Sequence, residues 1–298
     1  MKFHKLATVA FIATAITALP AVAQESTTLK KIKDTGSITL GHRESSIPFS
    51  YYDDKQQVIG YSHELMLKVV DDVKTNLKLS KLDTKLMPVT SANRITLIQN
   101  GTIDIECGST TNNLERQKQV AFSTTIFVIG TRLMAKRDSG IKDFVDLAGK
   151  NAVTTAGTTS ERLLRKMNED KKMGMNVISA KDHGEAFLTL ETGRAVAFMM
   201  DDALLYGELA KAKKPAEWMV IGTSQSKEAY GCMVRKDDPE FKKLVDASLS
   251  KAMTSGEADK IYAKWFMNPI PPKGLNLNMP LSDEMKIAFK APNDKAFE

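Results

Sequence analysis

Hydrophobic positions along the chain switch repeatedly between a strand period and a helix period. Residues 24–33 are a polar lead-in with a short helical piece, and residues 36–41 (Gly-Ser-Ile-Thr-Leu-Gly) read as a buried first strand. Residues 48–52 and 58–61 form a short hairpin around Asp53-Asp54-Lys55. Leu65, Val69, Val70, Val73 and Leu77 then fall on one helical stripe, with Ser62 placed to cap it and Glu64 in its first turn. Residues 82–89 are a second strand. Thr90-Ser91 opens a helix carrying Arg94, Ile95 and Ile98, which Gly101 ends, and Ile103 to Ile105 make a third strand. This β-α-β-α-β order predicts an α/β domain with a parallel sheet.

Two extended runs follow, at 120–123 and 126–134. Beyond Lys136 the composition changes to a linker and a short helix at 143–150, and a second β-α-β-α-β series begins. It reads as a strand at 151–155, a Gly/hydroxyl loop at 156–160 with Thr159 or Ser160 as helix cap, and a helix at 161–167. Next come a strand at 177–179, a polar loop at 181–184, a helix at 185–192 and a buried strand at 195–200. Asp201-Asp202 closes the series, with Asp202 as cap of a helix running to Ala210. Residues 219–222 and 229–235 are strands. Asp238-Pro239 is an N-cap/N1 pair opening a helix to Met253, and Ser255-Gly-Glu-Ala caps another with Ile261, Trp265 and Phe266 on its apolar face. The tail from Pro269 is rich in Pro and Asn and is expected to wrap the surface.

Parallel α/β sheets bind ligands at the carboxyl ends of their strands. Arg43, Ser91 and Arg94 lie at such ends, as does the stretch from Glu106 to Arg116, Glu-Cys-Gly-Ser-Thr-Thr-Asn-Asn-Leu-Glu-Arg. Residues 108–111 are expected to leave the strand as an exposed turn carrying hydroxyls and free backbone N–H groups. The helical turn after them projects Arg116 back toward that spot, an arrangement that suits a carboxylate.

Composition adds an address. Lys2, His4 and Lys5, the apolar run over 6–19 and Ala21-Val-Ala23 make residues 1–23 a cleavable signal peptide. The run is short for a membrane span, and the first Cys, Cys107, lies far from the cleavage point, so a lipid anchor is not expected. The formal charge of +6 falls to +4 once Lys2 and Lys5 are removed. That charge is spread out, with no basic run interleaved with aromatics, so nucleic acid is not an expected partner. The four His show no ligand spacing and neither a metal nor a cofactor is expected. In an oxidising compartment Cys107 and Cys232 are either one disulfide or two separate buried thiols, with the bridge favoured.

Several motifs carry a family resemblance. They are Phe49-Ser-Tyr-Tyr with Gly60-Tyr61, Asn100-Gly-Thr-Ile-Asp, Thr110-Thr-Asn-Asn-Leu-Glu-Arg116, Phe122-Ser-Thr-Thr, Asp146-Leu-Ala-Gly-Lys150 and Ser255-Gly-Glu-Ala-Asp-Lys-Ile-Tyr-Ala-Lys-Trp265-Phe266. Together they resemble the extracytoplasmic solute-binding proteins of polar amino-acid ABC importers, over essentially the whole mature chain. Gly41-His-Arg-Glu-Ser-Ser46, Glu106-Cys-Gly-Ser-Thr-Thr-Asn-Asn113, Ser179-Ala-Lys-Asp-His-Gly184, Phe198-Met-Met-Asp-Asp202 and Asn268-Pro-Ile-Pro-Pro272 are similar to its glutamate/aspartate-binding branch.

The resemblance implies a two-lobe periplasmic binding protein type II fold. Each lobe is a mixed, mostly parallel α/β sheet flanked by helices, and a two-strand hinge joins them. Residues 24–130 and 231–298 would form lobe 1 and residues 131–230 lobe 2, placing a Cys107–Cys232 bridge within one lobe. The implied ligand is L-glutamate or L-aspartate. Arg116, Thr111 and Thr159 would take its α-carboxylate, and Asp201, with Ser109 nearby, its ammonium. Arg43, Arg94, Ser91 and His183 would hold its side-chain carboxylate. Three arginines against one acid, Asp201, make the cationic surplus that such a ligand requires. The implied activity is capture by lobe closure in the periplasm and delivery by a monomer to an inner-membrane ABC permease, without catalysis. Two rival readings are an enzyme of cyclic amino acids on the same fold, with His183 as acid/base, and a ligand-sensing module of a receptor.

Overall fold

The computed structural model describes residues 26–297; the signal peptide expected over residues 1–23 lies outside the described residues. Two five-stranded sheets organise the chain. In the first, the buried strand Ser37–His42 pairs in parallel with Asp83–Pro88 on one side and Ile105–Glu106 on the other. Met233–Arg235 then joins antiparallel and Val120–Phe122 closes the far edge. In the second, Asn151–Thr155 is parallel to both Asn176–Ala180 and Ala197–Asp201, and Thr131–Lys136 runs antiparallel between Ala197–Asp201 and Trp218–Ile221. Both sheets are therefore mixed, as expected.

Between them lies a three-stranded antiparallel sheet, Thr111–Asn112, Glu228–Tyr230 and Phe127–Ile129. The chain passes toward the second sheet through 127–129 and comes back through 228–230. An aromatic cluster packs against this crossing. Phe127 stacks on Phe266 at 4.9 Å, Phe49 meets Phe127 edge-on at 4.8 Å, and Phe49 meets Tyr230 at 5.2 Å. Such pairs add roughly 0.5–1.5 kcal/mol each beyond the area they bury.

Helix Tyr61–Asn76 buries Leu65, Val69, Val70 and Val73, the predicted stripe. Its N-cap is Gly60; the Ser62 hydroxyl donates instead to the carbonyl of Gly108 at 2.9 Å, so it ties the helix to the strand end rather than capping it. Helix Asp202–Lys211 likewise starts one residue earlier than predicted, with Asp201 at the cap position and Asp202 inside the first turn. For Thr159–Asp170 the cap is Thr158, whose hydroxyl accepts from Glu161 N–H. Asp238 caps Pro239–Thr254 as predicted.

The tail differs from the expected surface wrap. Helix Asp283–Lys290 buries Met285, Ala288 and Phe289, and Val128 N–H donates to the Met285 sulfur at 3.0 Å. Asn112 donates to the Asp294 carbonyl at 2.8 Å. The tail thus braces two strands of the crossing sheet, a long-range role that a Pro/Asn-rich composition does not reveal.

Cys107 and Cys232 are joined, with Cα atoms 4.3 Å apart, and both are fully buried. The bridge links the end of Ile105–Glu106 to the turn between Glu228–Tyr230 and Met233–Arg235. It closes a separation of 125 residues, which the chain-entropy argument sets at no more than about 4–5 kcal/mol. Cys107→Ser with Cys232→Ser is expected to lower unfolding free energy by about 2–4 kcal/mol in urea. Free-thiol titration of the denatured, unreduced protein should find none, and two reactive thiols would contradict the bridge.

Candidate functional site

Loops at the carboxyl ends of the two sheets meet each other. Gly157, with φ +76°, carries its backbone so close to Ala92 that an added Cβ would lie 2.6 Å from the Ala92 Cα. Gly184 N–H donates to Ser45 Oγ at 3.3 Å, and Lys273 reaches the carbonyls of Lys211 and Ala212 at 2.7 and 2.9 Å. Gly207, within helix Asp202–Lys211, rides against the carbonyl of Ile47. These contacts enclose a polar site whose main side chains are buried. Residues 108–111 belong to it; the turn predicted to be exposed is buried, because helix Tyr61–Asn76 and the loops of the second sheet cover it.

One end of the site is cationic. Arg43 follows strand Ser37–His42; its N–H donates to Ser50 Oγ at 3.0 Å and its guanidinium to Ser109 Oγ at 3.4 Å. Arg94 is the first residue of helix Arg94–Gln99 and donates to the Ser109 carbonyl at 3.0 Å and to the Thr110 hydroxyl, which in turn donates to Glu106 at 2.7 Å. Both arginines are 1% exposed. Burial and the neighbouring Arg94 lower Arg43 to about 10, still charged at neutral pH. His183 starts helix His183–Glu191 and shares a 2.8 Å hydrogen bond with Thr155 through Nδ1. Burial, then the charges of Arg43, Arg94 and Lys211, hold its pKa well below 6.5, so it is neutral at pH 7. Ser91 Oγ, Arg94 Nε and His183 Nε2 are buried here without a partner in the protein, as is one oxygen of Glu106, Oε1. An unmet buried donor costs about 1–3 kcal/mol, so this end is suited to receive an anionic oxygen group.

The other end is organised by Arg116. Its guanidinium donates to the Thr111 carbonyl at 2.9 Å and the Gly157 carbonyl at 3.2 Å, which fix its plane. Burial and then Arg94 lower it to about 9. Asp201 ends strand Ala197–Asp201 and accepts from Thr131 at 2.9 Å, Ser160 at 3.1 Å and Tyr230. Burial, then the carboxylate of Glu228, raises its pKa to about 7. Thr111 and Thr159, 3.4 Å apart, both donate to Glu228, Thr159 at 2.8 Å.

All nine predicted site residues, Arg43, Ser91, Arg94, Ser109, Thr111, Arg116, Thr159, His183 and Asp201, come together around this region. The charge count does not hold as predicted: Glu106 and Glu228 are buried in the same site, so three arginines face three carboxylates. Sequence reasoning missed Glu228, Thr131, Ser226 and Tyr230. The signal for Glu228 was an acid at the head of an otherwise apolar strand, Glu228-Ala-Tyr-Gly-Cys-Met-Val. Ser45 and Ser46 pair with Tyr51 and Ser50 and also touch the site, Ser46 accepting from Ser109 at 3.3 Å. Among the described residues no cluster of three or more His, Cys, Asp or Glu is arranged to hold a metal, and no helix is long and apolar enough to cross a membrane.

The chain matches the bacterial extracellular solute-binding proteins, family 3, over residues 38–268. It belongs to that family. It is 65% identical over 289 residues to the L-glutamate/L-aspartate-binding protein of Pseudomonas aeruginosa, with 96% of each chain covered. It is 62% identical over 301 residues to the glutamate/aspartate import solute-binding protein of Escherichia coli, with 99% of each covered. Among solved structures, an arginine-binding protein mutant from T. maritima aligns with TM-score 0.71 and 26% identity, covering 80% of this chain and 98% of that one. The cysteine-binding protein of Campylobacter jejuni shares the fold, with TM-score 0.71 at 23% identity over 80% of this chain and 92% of that one. Membership in the family makes this protein an extracytoplasmic solute-binding transport protein with the two-lobe fold, and not an enzyme.

The inter-lobe contacts yield a test. A Cβ on Gly207 would sit 2.2 Å from the Ile47 carbonyl oxygen, although alanine is about 1 kcal/mol better than glycine within a helix. Gly207→Ala is expected to leave ligand-free thermal stability intact or raised and to weaken solute affinity at least tenfold. Unchanged affinity by calorimetric titration would show that the contact is not part of the liganded arrangement.

Proposed function

We propose that the protein captures L-glutamate and L-aspartate in the periplasm and delivers them to an inner-membrane ABC permease. The observation that carries this reading is the cationic end of the site. Arg43 and Arg94 both feel the buried carboxylate of Glu106 there, with Asp182 also acting on Arg43 and Asp201 and Glu228 on Arg94, and neutral His183 adds no charge. The two guanidinium groups sit beside the unpartnered Ser91 Oγ, Arg94 Nε and His183 Nε2. A second carboxylate on the ligand matches both the charge and the donors; an amide matches only part of the donors, and a basic side chain is repelled. The 62% to 65% identity to proteins named for glutamate and aspartate supports the same ligand.

In this reading Arg116 receives the α-carboxylate in a bidentate contact, with Thr111 and the N-terminus of helix Thr159–Asp170 beside it. Asp201 receives the ammonium, with Ser109 nearby. Arg43, Arg94, Ser91 and His183 receive the side-chain carboxylate. Residues 24–130 and 231–298 act as one lobe and 131–230 as the other, moving about the paired strands Phe127–Ile129 and Glu228–Tyr230. Ligand docks on one lobe and Thr159, His183 and Asp201 complete the site as the cleft closes. Residues 1–23 direct export. One chain carries every residue of the site, so a monomer suffices.

Calorimetric titration of ligand-stripped protein with glutamate, aspartate, glutamine, asparagine and arginine is expected to show tight one-to-one binding for the two acidic ligands only. Binding of an amide or of arginine in their place would reject the ligand. Arg43→Ala or Arg94→Ala should weaken glutamate by about 2–5 kcal/mol, the cost of breaking a buried charge pair, and glutamine far less. Equal losses for both would reject the division of roles.

A further inference from the structure

Resting on the ligand proposed above, we propose that Glu228 is a positioning residue for the ligand's ammonium group. With Asp201 it draws the surrounding hydroxyl hydrogens onto two carboxylates and so turns oxygen lone pairs toward the ligand.

The network supports this by counting hydrogens. Glu228 lies in the returning strand and is 6% exposed. Its Oε2 accepts from Thr111, which follows the first sheet, and from Thr159 at 2.8 Å, which follows the second. Its Oε1 lies 3.1 Å from Ser226 Oγ and 3.4 Å from Thr131 Oγ1, and these two hydroxyls also share a 2.7 Å hydrogen bond in which one donates to the other. Asp201 takes Thr131, Ser160 and Tyr230. Each of these hydroxyls has a single hydrogen. With the hydrogens of Thr111, Thr159, Ser160 and Tyr230 spent on the acids, these oxygens offer lone pairs, which accept from an ammonium and repel a carboxylate. The α-carboxylate is left to Arg116 and to backbone N–H groups, a refinement of the roles given to the Thr111 and Thr159 side chains.

Thr131 Oγ1 sits between the two acids, donating to Asp201 at 2.9 Å and lying 3.4 Å from Glu228. The charged and titratable groups around the pair are Arg116, Arg94 and Arg162 from three helices, with Tyr230 and Asp202. Lys227, next in sequence, is turned to Glu284 at 3.1 Å. In the ligand-free protein Asp201 is raised to about 7 by burial and then by Glu228, so below that pH it holds a proton. An incoming ammonium favours the ionised pair, and the proton passes from the Asp201 carboxyl to solvent. Affinity therefore falls as pH drops below about 7 and levels off above it.

The test is titration of the mature protein with glutamate in two buffers of different ionisation enthalpy. Roughly one proton released per ligand is expected at pH 6, declining toward none by pH 8.5. Glu228→Gln should release fewer protons at pH 6, since Asp201 then faces one charge less. It should also lower the affinity ratio of glutamate to glutarate, which has the two carboxylates without the ammonium, by roughly tenfold or more. Thermal unfolding checks that the variant is folded; the proton count on the unaltered protein stands without it. Glutamate binding with no proton release at pH 6, or an unchanged glutamate/glutarate ratio in the variant, would overturn the proposal. If the unaltered protein bound neither glutamate nor aspartate, the ligand reading would fail first and this one with it.

Discussion

The pairing of Phe127–Ile129 with Glu228–Tyr230 is the constraint on which the rest of the molecule depends. These two strands carry the chain between its sheets, so whatever they present faces both. Tyr230 shows the consequence within one residue. Its ring lies in the aromatic cluster with Phe49 and Phe127, while its hydroxyl donates to Asp201. Core packing on one side thereby fixes the position of a carboxylate on the other. The disulfide at Cys232 and the tail helix at Met285 hold the same crossing from two further directions.

Electrostatics in the site follow from burial. Taking three guanidinium groups out of water is costly unless carboxylates and carbonyls meet them, and the protein meets them unevenly. Arg116 is held by two backbone carbonyls, and Arg94 by a carbonyl and a hydroxyl that leans on Glu106. Asp201, supplied with three hydroxyl donors, still has its pKa pushed up, because burial and then the neighbouring Glu228 outweigh them. A site with one end short of negative charge and the other crowded with it has a direction. That direction fits a ligand with a lone carboxylate at one end and an ammonium beside its second carboxylate at the other.

Glycine placement shows how the two halves come together. Gly157 and Gly207 have little in common locally, one in a turn at positive φ and the other inside a helix. Both lie where backbone from one side of the cleft touches backbone from the other, and at each a methyl group would collide. Neither is explained by its own secondary structure. Contact across the cleft supplies the reason.

By itself the sequence determined the alternation of strands and helices, the placement of Arg43, Ser91, Arg94 and Arg116 at strand ends, and the family. Those features rest on local periodicity and on chemistry that survives any packing, such as a guanidinium at a strand end. Tertiary structure alone decided the rest. It buried residues 108–111, which local reading left exposed, and moved the caps from Ser62, from Thr159 or Ser160, and from Asp202 to Gly60, Thr158 and Asp201. It also brought Glu228 to within hydrogen-bonding reach of Thr111, a residue 117 positions away. No window of sequence spans such a distance, because the contact exists only after two separate sheets have paired their connecting strands.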